Sequence, residues 1–91
     1  MDFEWDTEKA ARNCRKHGVS FHEAATVFSD PFSTTYHDPD HSATEDRSIT
    51  VGMSWSGRVI IVAHTDRGDN VRIISARTTT PRERRHYEQG Q

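Results

Sequence analysis

Polar and apolar residues alternate along Arg47 to Ser54, with Ile49, Val51 and Met53 on one face and Ser48, Thr50 and Gly52 on the other. That two-residue period predicts a half-buried strand. The run that follows has a different pattern. Val59, Ile61 and Ala63 interleave with Ile60, Val62 and His64, so both faces are apolar over most of its length, as expected of a central strand covered on both sides. Five residues, Asp66-Arg-Gly-Asp-Asn70, separate it from Val71-Arg-Ile-Ile-Ser-Ala-Arg77. Two β-branched runs joined by Gly, Asp and Asn predict a hairpin. Trp55-Ser-Gly57 turns the earlier strand into this hairpin, giving an antiparallel meander of at least three strands.

The rest of the chain reads as helices and a loop. Asp2-Phe-Glu-Trp5 alternates and is short, as at a sheet edge, with Phe3 and Trp5 on one side. Asp6 offers an N-cap for a helix over residues 7–17, with Glu8 early, Arg15, Lys16 and His17 late, and Gly18 after its end. Its apolar stripe, Ala10, Ala11 and Cys14, is thin, and Cys14 reads as a small packing residue. Ser20 and Glu23 form a capping box, and Phe21, Ala24, Ala25 and Phe28 make one continuous stripe, so the second helix should pack on the sheet until Pro31 stops it. Residues 32–36 have the option of a strand, and residues 37–46 read as loop. Thr80-Pro-Arg-Glu83 is another capping box, opening a C-terminal helix over 81–89 whose cations surround Tyr87.

Length and composition narrow this further. Ninety-one residues suit one domain over 1–91, and a hydrophobic content of 32% leaves room for a partner to cover some apolar surface. No apolar run is long enough to span a membrane and no signal sequence is evident, so the expected compartment is the cytoplasm. With Cys14 the only cysteine, no internal disulfide or cysteine-based zinc site can form.

The net charge of -2 hides a separation. Residues 1–46 carry four Lys/Arg against ten Asp/Glu, whereas residues 67–91 carry six Arg against three acids. Arg outnumbers Lys ten to two, a bias that suits bidentate recognition of phosphate or carboxylate.

Six histidines raise the question of a metal, for which His37 and His41 are the nearest local pair. A Pro-interrupted loop lacks the rigid frame a metal site needs, so no metal and no cofactor is expected. A nucleophile elbow and a Gly-rich phosphate loop are both missing. What remains is an arginine-rich sheet edge, a basic helix end at Lys16 and His17, and a basic helix bearing Tyr87. RNA supplies its own nucleophile, the 2′-hydroxyl, so such a set could cleave a phosphodiester without a metal by orienting the strand, stabilising charge and moving two protons. The same set would also suit a non-catalytic RNA- or protein-binding module.

Several ordered motifs, among them Phe3-Glu-Trp-Asp6, Lys16-His-Gly-Val19, Asp30-Pro31, Arg67-Gly68, Arg72-Ile-Ile-Ser-Ala-Arg77 and Glu83-Arg84 with Tyr87, resemble the BrnT toxins of bacterial type II toxin–antitoxin systems along nearly the whole chain. The resemblance implies a RelE-like α+β fold and a ribonuclease that inhibits translation. It also implies a BrnA-like antitoxin whose ribbon-helix-helix region binds operator DNA, so that the toxin meets that DNA only through the antitoxin. In RelE-like toxins an arginine ending a late strand and a basic or aromatic residue near the C-terminus act at the scissile phosphate, and Arg77 and Tyr87 are the similar positions here.

The expected fold is therefore an antiparallel sheet in the order β-α-α-β-β-β-α, with a helical pair on one face and a short C-terminal helix. Arg77, His17, Tyr87 and Arg67 are the expected catalytic residues, and Lys16, Arg47, Arg58 and Arg72 the expected RNA-binding ones. Arg47, Arg72 and Arg77 are expected to converge beside the last strand.

Overall fold

The computed structural model describes residues 1–38 and 46–90. Nine elements follow in order: β1 (Asp2–Glu4), α1 (Thr7–His17), α2 (Phe21–Thr26) running into a 3-10 turn (Val27–Ser29), β2 (Thr34–His37), β3 (Arg47–Met53), β4 (Val59–Arg67), β5 (Asn70–Thr78) and α3 (Pro81–Gln89). The sheet order is β1-β5-β4-β3-β2, parallel between β1 and β5 and antiparallel elsewhere. The α+β class, the helical pair and the C-terminal helix match the expectation, and the optional strand is present as β2. The pair His37 and His41, at which no metal is expected, cannot be placed, because His41 and most of residues 37–46 lie outside the described residues.

Local chemistry sets the element ends. Asp6 accepts from the backbone N–H groups of Glu8 and Lys9 at 2.9 and 3.0 Å, and Gly18 closes α1 in the left-handed conformation. Thr80 and Glu83 cap α3 reciprocally, with Pro81 in its first turn. The β4–β5 connection is tighter than the five residues expected. Asp66, Arg67 and Asn70 belong to the ladder, and only Gly68 and Asp69 turn the chain. Gly68 has φ +62°, which a two-residue hairpin with glycine first requires.

The core lies between the sheet and the helical pair, where Val19, Phe21, Ala24 and Val27 meet Ile60, Val62, Ile73 and Ala76. Phe3 of β1 and Trp5 just after it join the core, against Phe28 and Phe21 respectively. Two details depart from the sequence pattern. Cys14 is exposed, and the buried position of α1 is Asn13, whose amide donates to the carbonyls of Val19 and Ala76 and accepts from the N–H of Ala76. Asn13 thus ties α1 to β5 through polar contacts that no hydrophobic stripe reveals.

The second departure is in β3, where it is the polar row that faces the helices. Thr50 is 1% exposed, whereas Met53 on the apolar row is 39% exposed. Thr50 is accommodated because its hydroxyl meets Thr35 at 2.7 Å and Nε2 of His64 at 2.8 Å. Gly52 is required at its place, since a Cβ there would lie 2.9 Å from both Ser33 and Val27. Ile49, Val51 and Met53 are left on the face away from the helical pair.

Candidate functional site

On that second face the register aligns Thr34, Val51, Ile61 and Arg77 in one row across β2, β3, β4 and β5. α3 stands beside this row, and between them runs a groove of about 790 Å³. Val51 and Ile61 form its floor, Tyr36 flanks it from β2, and Glu83, His86 and Tyr87 face it from α3. Arg77 is joined to the groove through Glu83, which lines it. Its two terminal nitrogens donate to the two carboxylate oxygens of Glu83, each at 2.9 Å, the bidentate geometry a guanidinium also offers to phosphate.

The pair sets the local electrostatics. Arg77 and the backbone of Thr80 hold the Glu83 carboxyl down to about 2, and Glu83 in turn raises Arg77. Both side chains are partly open, 42% for Arg77 and 35% for Glu83. Tyr87 is buried against the groove, and its hydroxyl donates to Asp30 Oδ2 at 2.5 Å. The same oxygen accepts from the N–H of Met53 at 2.8 Å, so Asp30 connects the end of β3 to α3.

The other expected site residues are distributed around the sheet. Arg77 and Tyr87 share the groove region. Arg47 and Arg72 lie in one row through Thr65, on the same face as Arg77 but four β4 positions away, roughly 13 Å along the strand. The three arginines therefore do not converge into one pocket. Arg72 is paired with Glu4 at 3.0 Å, and Arg67 lies at the same hairpin end. Asn70 and Arg72 hold the Glu4 carboxyl below its usual value.

Lys16 and His17 end α1 on the helical side. Arg58 is beside them, donating to the carbonyl of Gly18 at 3.1 Å and to Glu23. Glu23 also accepts from Ser54 at 2.6 Å and Ser56 at 2.5 Å. Arg58 is the chief cause holding its carboxyl down to about 2. Arg58 thus serves as one half of a clamp between α2 and the β3–β4 turn. The sequence names Glu83 as a helix cap and both Glu83 and Asp30 as parts of the family motifs, but it assigns neither a role at the site. A glutamate following a strand-terminal arginine by six residues, across a Thr-Pro turn, was the signal available for Glu83.

Among the described residues no group of His, Cys, Asp and Glu is placed to hold a metal ion, and no helix is long and apolar enough to cross a membrane.

The model of the family described as "Ribonuclease toxin, BrnT, of type II toxin-antitoxin system" matches residues 5–83, a span that holds both Arg77 and Glu83. Among solved structures the chain is similar to the ribonuclease toxin BrnT of Brucella abortus, determined at 1.1 Å. The TM-score is 0.66 and the identity 24%, with 88% of this chain and 97% of that one covered. No curated protein matches.

Proposed function

The chain belongs to the BrnT family of type II toxin–antitoxin ribonuclease toxins, and on that premise we propose that it cleaves RNA without a metal in the groove joined to Arg77 through Glu83, thereby inhibiting translation. The observation that carries this is the bidentate Arg77–Glu83 pair, whose Glu83 lines an open groove with an apolar floor and with Arg82, Arg85 and His86 on its α3 side. A phosphodiester can take the place of the Glu83 carboxylate on the same two N–H donors, because both anions fit the guanidinium fork.

That exchange changes Glu83. Once Arg77 is engaged by phosphate, the carboxylate loses the partner that holds it near 2 and gains an anion beside it, so its proton affinity rises. Glu83 then accepts the proton of the 2′-hydroxyl while the 2′-oxygen attacks phosphorus. Arg77 stabilises the charge that develops on the phosphorane. The bond from phosphorus to the 5′-oxygen breaks, and the leaving oxygen takes a proton from the α3 wall, where Tyr87 and His86 stand. The products are a 2′,3′-cyclic phosphate and a 5′-hydroxyl. His17 and Lys16, at the end of α1, take no part in these steps. Arg47, Arg67 and Arg72 guide the strand toward the groove as a distant cationic row.

The partners follow from the same reading: RNA as substrate, and a BrnA-like antitoxin whose ribbon-helix-helix region carries the complex to operator DNA in the cytoplasm. The test is incubation of the purified chain with end-labelled RNA in excess EDTA. Fragments ending in cyclic phosphate are expected. RNA that is bound but left intact would return the chain to the class of non-catalytic binding modules.

A further inference from the structure

The inverted pattern of β3 is what the cleavage chemistry does not use. A strand of this amphipathicity normally turns its apolar row to the core, yet here Thr50 and Gly52 go inward and Ile49, Val51 and Met53 go outward. Beside them on the same face lie Phe32, 58% exposed, and Tyr36, 52% exposed, with Tyr36 directly opposite Ile49. These side chains form an apolar strip over β2 and β3 that continues from the groove. Large apolar side chains gathered in one place on a small monomer mark an interaction surface.

Charge identifies the occupant. The strip's α3 border presents Arg82, Arg85 and His86, and the nearest acid on that helix, Glu83, is already engaged by Arg77. A partner fitting both features carries apolar side chains on one side and carboxylates on the other. We propose that the strip receives an acidic, amphipathic segment of the antitoxin. This rests on the toxin–antitoxin reading above and on no step of the cleavage mechanism. RNA fits less well, because bases stack on flat aromatic rings: Phe32 and Tyr36 offer them at the β2 side, but Ile49, Val51 and Met53 give the β3 side branched or flexible aliphatic surface instead. A second copy of the chain fits less well too, since a two-fold contact sets each patch against itself and would bring two cationic helices together. An antitoxin segment on the strip would also reach the mouth of the groove, so docking and inhibition would be a single event.

The experiment titrates the purified chain with its purified cognate antitoxin by calorimetry, for the wild type and for Met53→Glu. That substitution puts a like charge on the strip at a residue outside the groove lining, whose contact with Asp30 is made by the backbone N–H that the substitution keeps. Antitoxin affinity is expected to fall at least tenfold, with the unfolding midpoint and RNA cleavage by the free chain unchanged. Met53→Ser, which removes the apolar contact without adding charge, should weaken binding in the same direction by less and serves if the glutamate variant does not fold. Wild-type affinity in both variants would overturn the proposal. So would weakening of RNA binding alone, or self-association of the wild type that Met53→Glu abolishes. Should the wild type leave RNA intact, the cleavage reading fails and the antitoxin titration still decides the strip.

Discussion

Two arginine–glutamate pairs sit on opposite sides of the same sheet, and their differences separate structure from chemistry. Glu23 is 11% exposed and accepts from Ser54 and Ser56 as well as Arg58, so its oxygens are saturated by groups on the β3–β4 turn and the start of β4. Glu83 is 35% exposed and gives its oxygens to Arg77 and to the backbone N–H of Thr80. Both carboxyls are held at about 2, in each case chiefly by the hydrogen bonds from arginine. Equal pKa displacement therefore says nothing about role. What differs is the carboxylate, since the two arginines are similarly exposed at 39% and 42%: Glu23 is saturated by its own partners, whereas Glu83 lines an open groove where another anion can compete for Arg77.

Arg77→Ala is expected to break the contrast most severely. Removing one well-placed donor to a developing oxyanion costs about 2.7–4 kcal/mol, so cleavage should fall about a hundredfold or more while circular dichroism remains native. Near-normal cleavage by the folded variant would remove Arg77 from the mechanism. Glu83→Gln is next. The amide keeps the reach to Thr80 but cannot take a proton, so kcat should fall roughly a hundredfold, while loss of the competing charge leaves RNA affinity equal or tighter. A variant with normal kcat and weakened binding would make Glu83 merely a prop for α3.

Glu23→Gln tests the other side. Its carboxylate accepts charge-assisted bonds that typically contribute about 2 kcal/mol, and its loss should lower the unfolding midpoint by roughly 10 °C in a domain of this size. RNA cleavage measured below the new midpoint should be unchanged, and a selective loss of cleavage would mean that the clamp, too, belongs to the site.

How much of each element is legible in the sequence depends on which interactions hold it. The helix starts and the ends of α1 and α3 were legible because caps act locally: Asp6 and Gly18 bound α1, Ser20 opens α2, and Thr80 with Glu83 opens α3, whereas α2 gives way to the 3-10 turn at Val27, before Pro31 is reached. The central strand was legible from its two apolar faces. The facing of β3 was not, because it is decided by the partners of Thr50, namely Thr35 and His64, and by the closeness of Val27 to Gly52, all distant in sequence. Asn13 was missed for the same reason, its partner Ala76 being sixty-three residues away. For the site, Arg77 and Tyr87 could be nominated one at a time, whereas the grouping of Arg77 with Glu83 depends on how α3 packs beside the sheet.

The smallest expected effect concerns pH, and it sharpens the comparison by isolating the carboxylates from a histidine buried beneath the helices. Both glutamates have folded values below their unfolded value of 4.5, so the stability they contribute is complete above 4.5 and is lost as pH falls toward 2. His64 acts in a different window. It is 4% exposed, with Nε2 bonded to Thr50 and no partner for Nδ1 among the described residues. Burial pushes its pKa below 6.5, with Asp66 opposing weakly. The unfolded chain thus binds the proton more readily, and stability should decline as pH falls below 6.5, levelling once the folded histidine is itself protonated. Urea unfolding at pH steps from 7.5 to 4.5 should show this shallow decline in the wild type. It should be absent in His64→Gln, whose amide can still meet Thr50 but does not titrate. An identical slope in that variant would move the effect to the other histidines and leave the buried one a spectator.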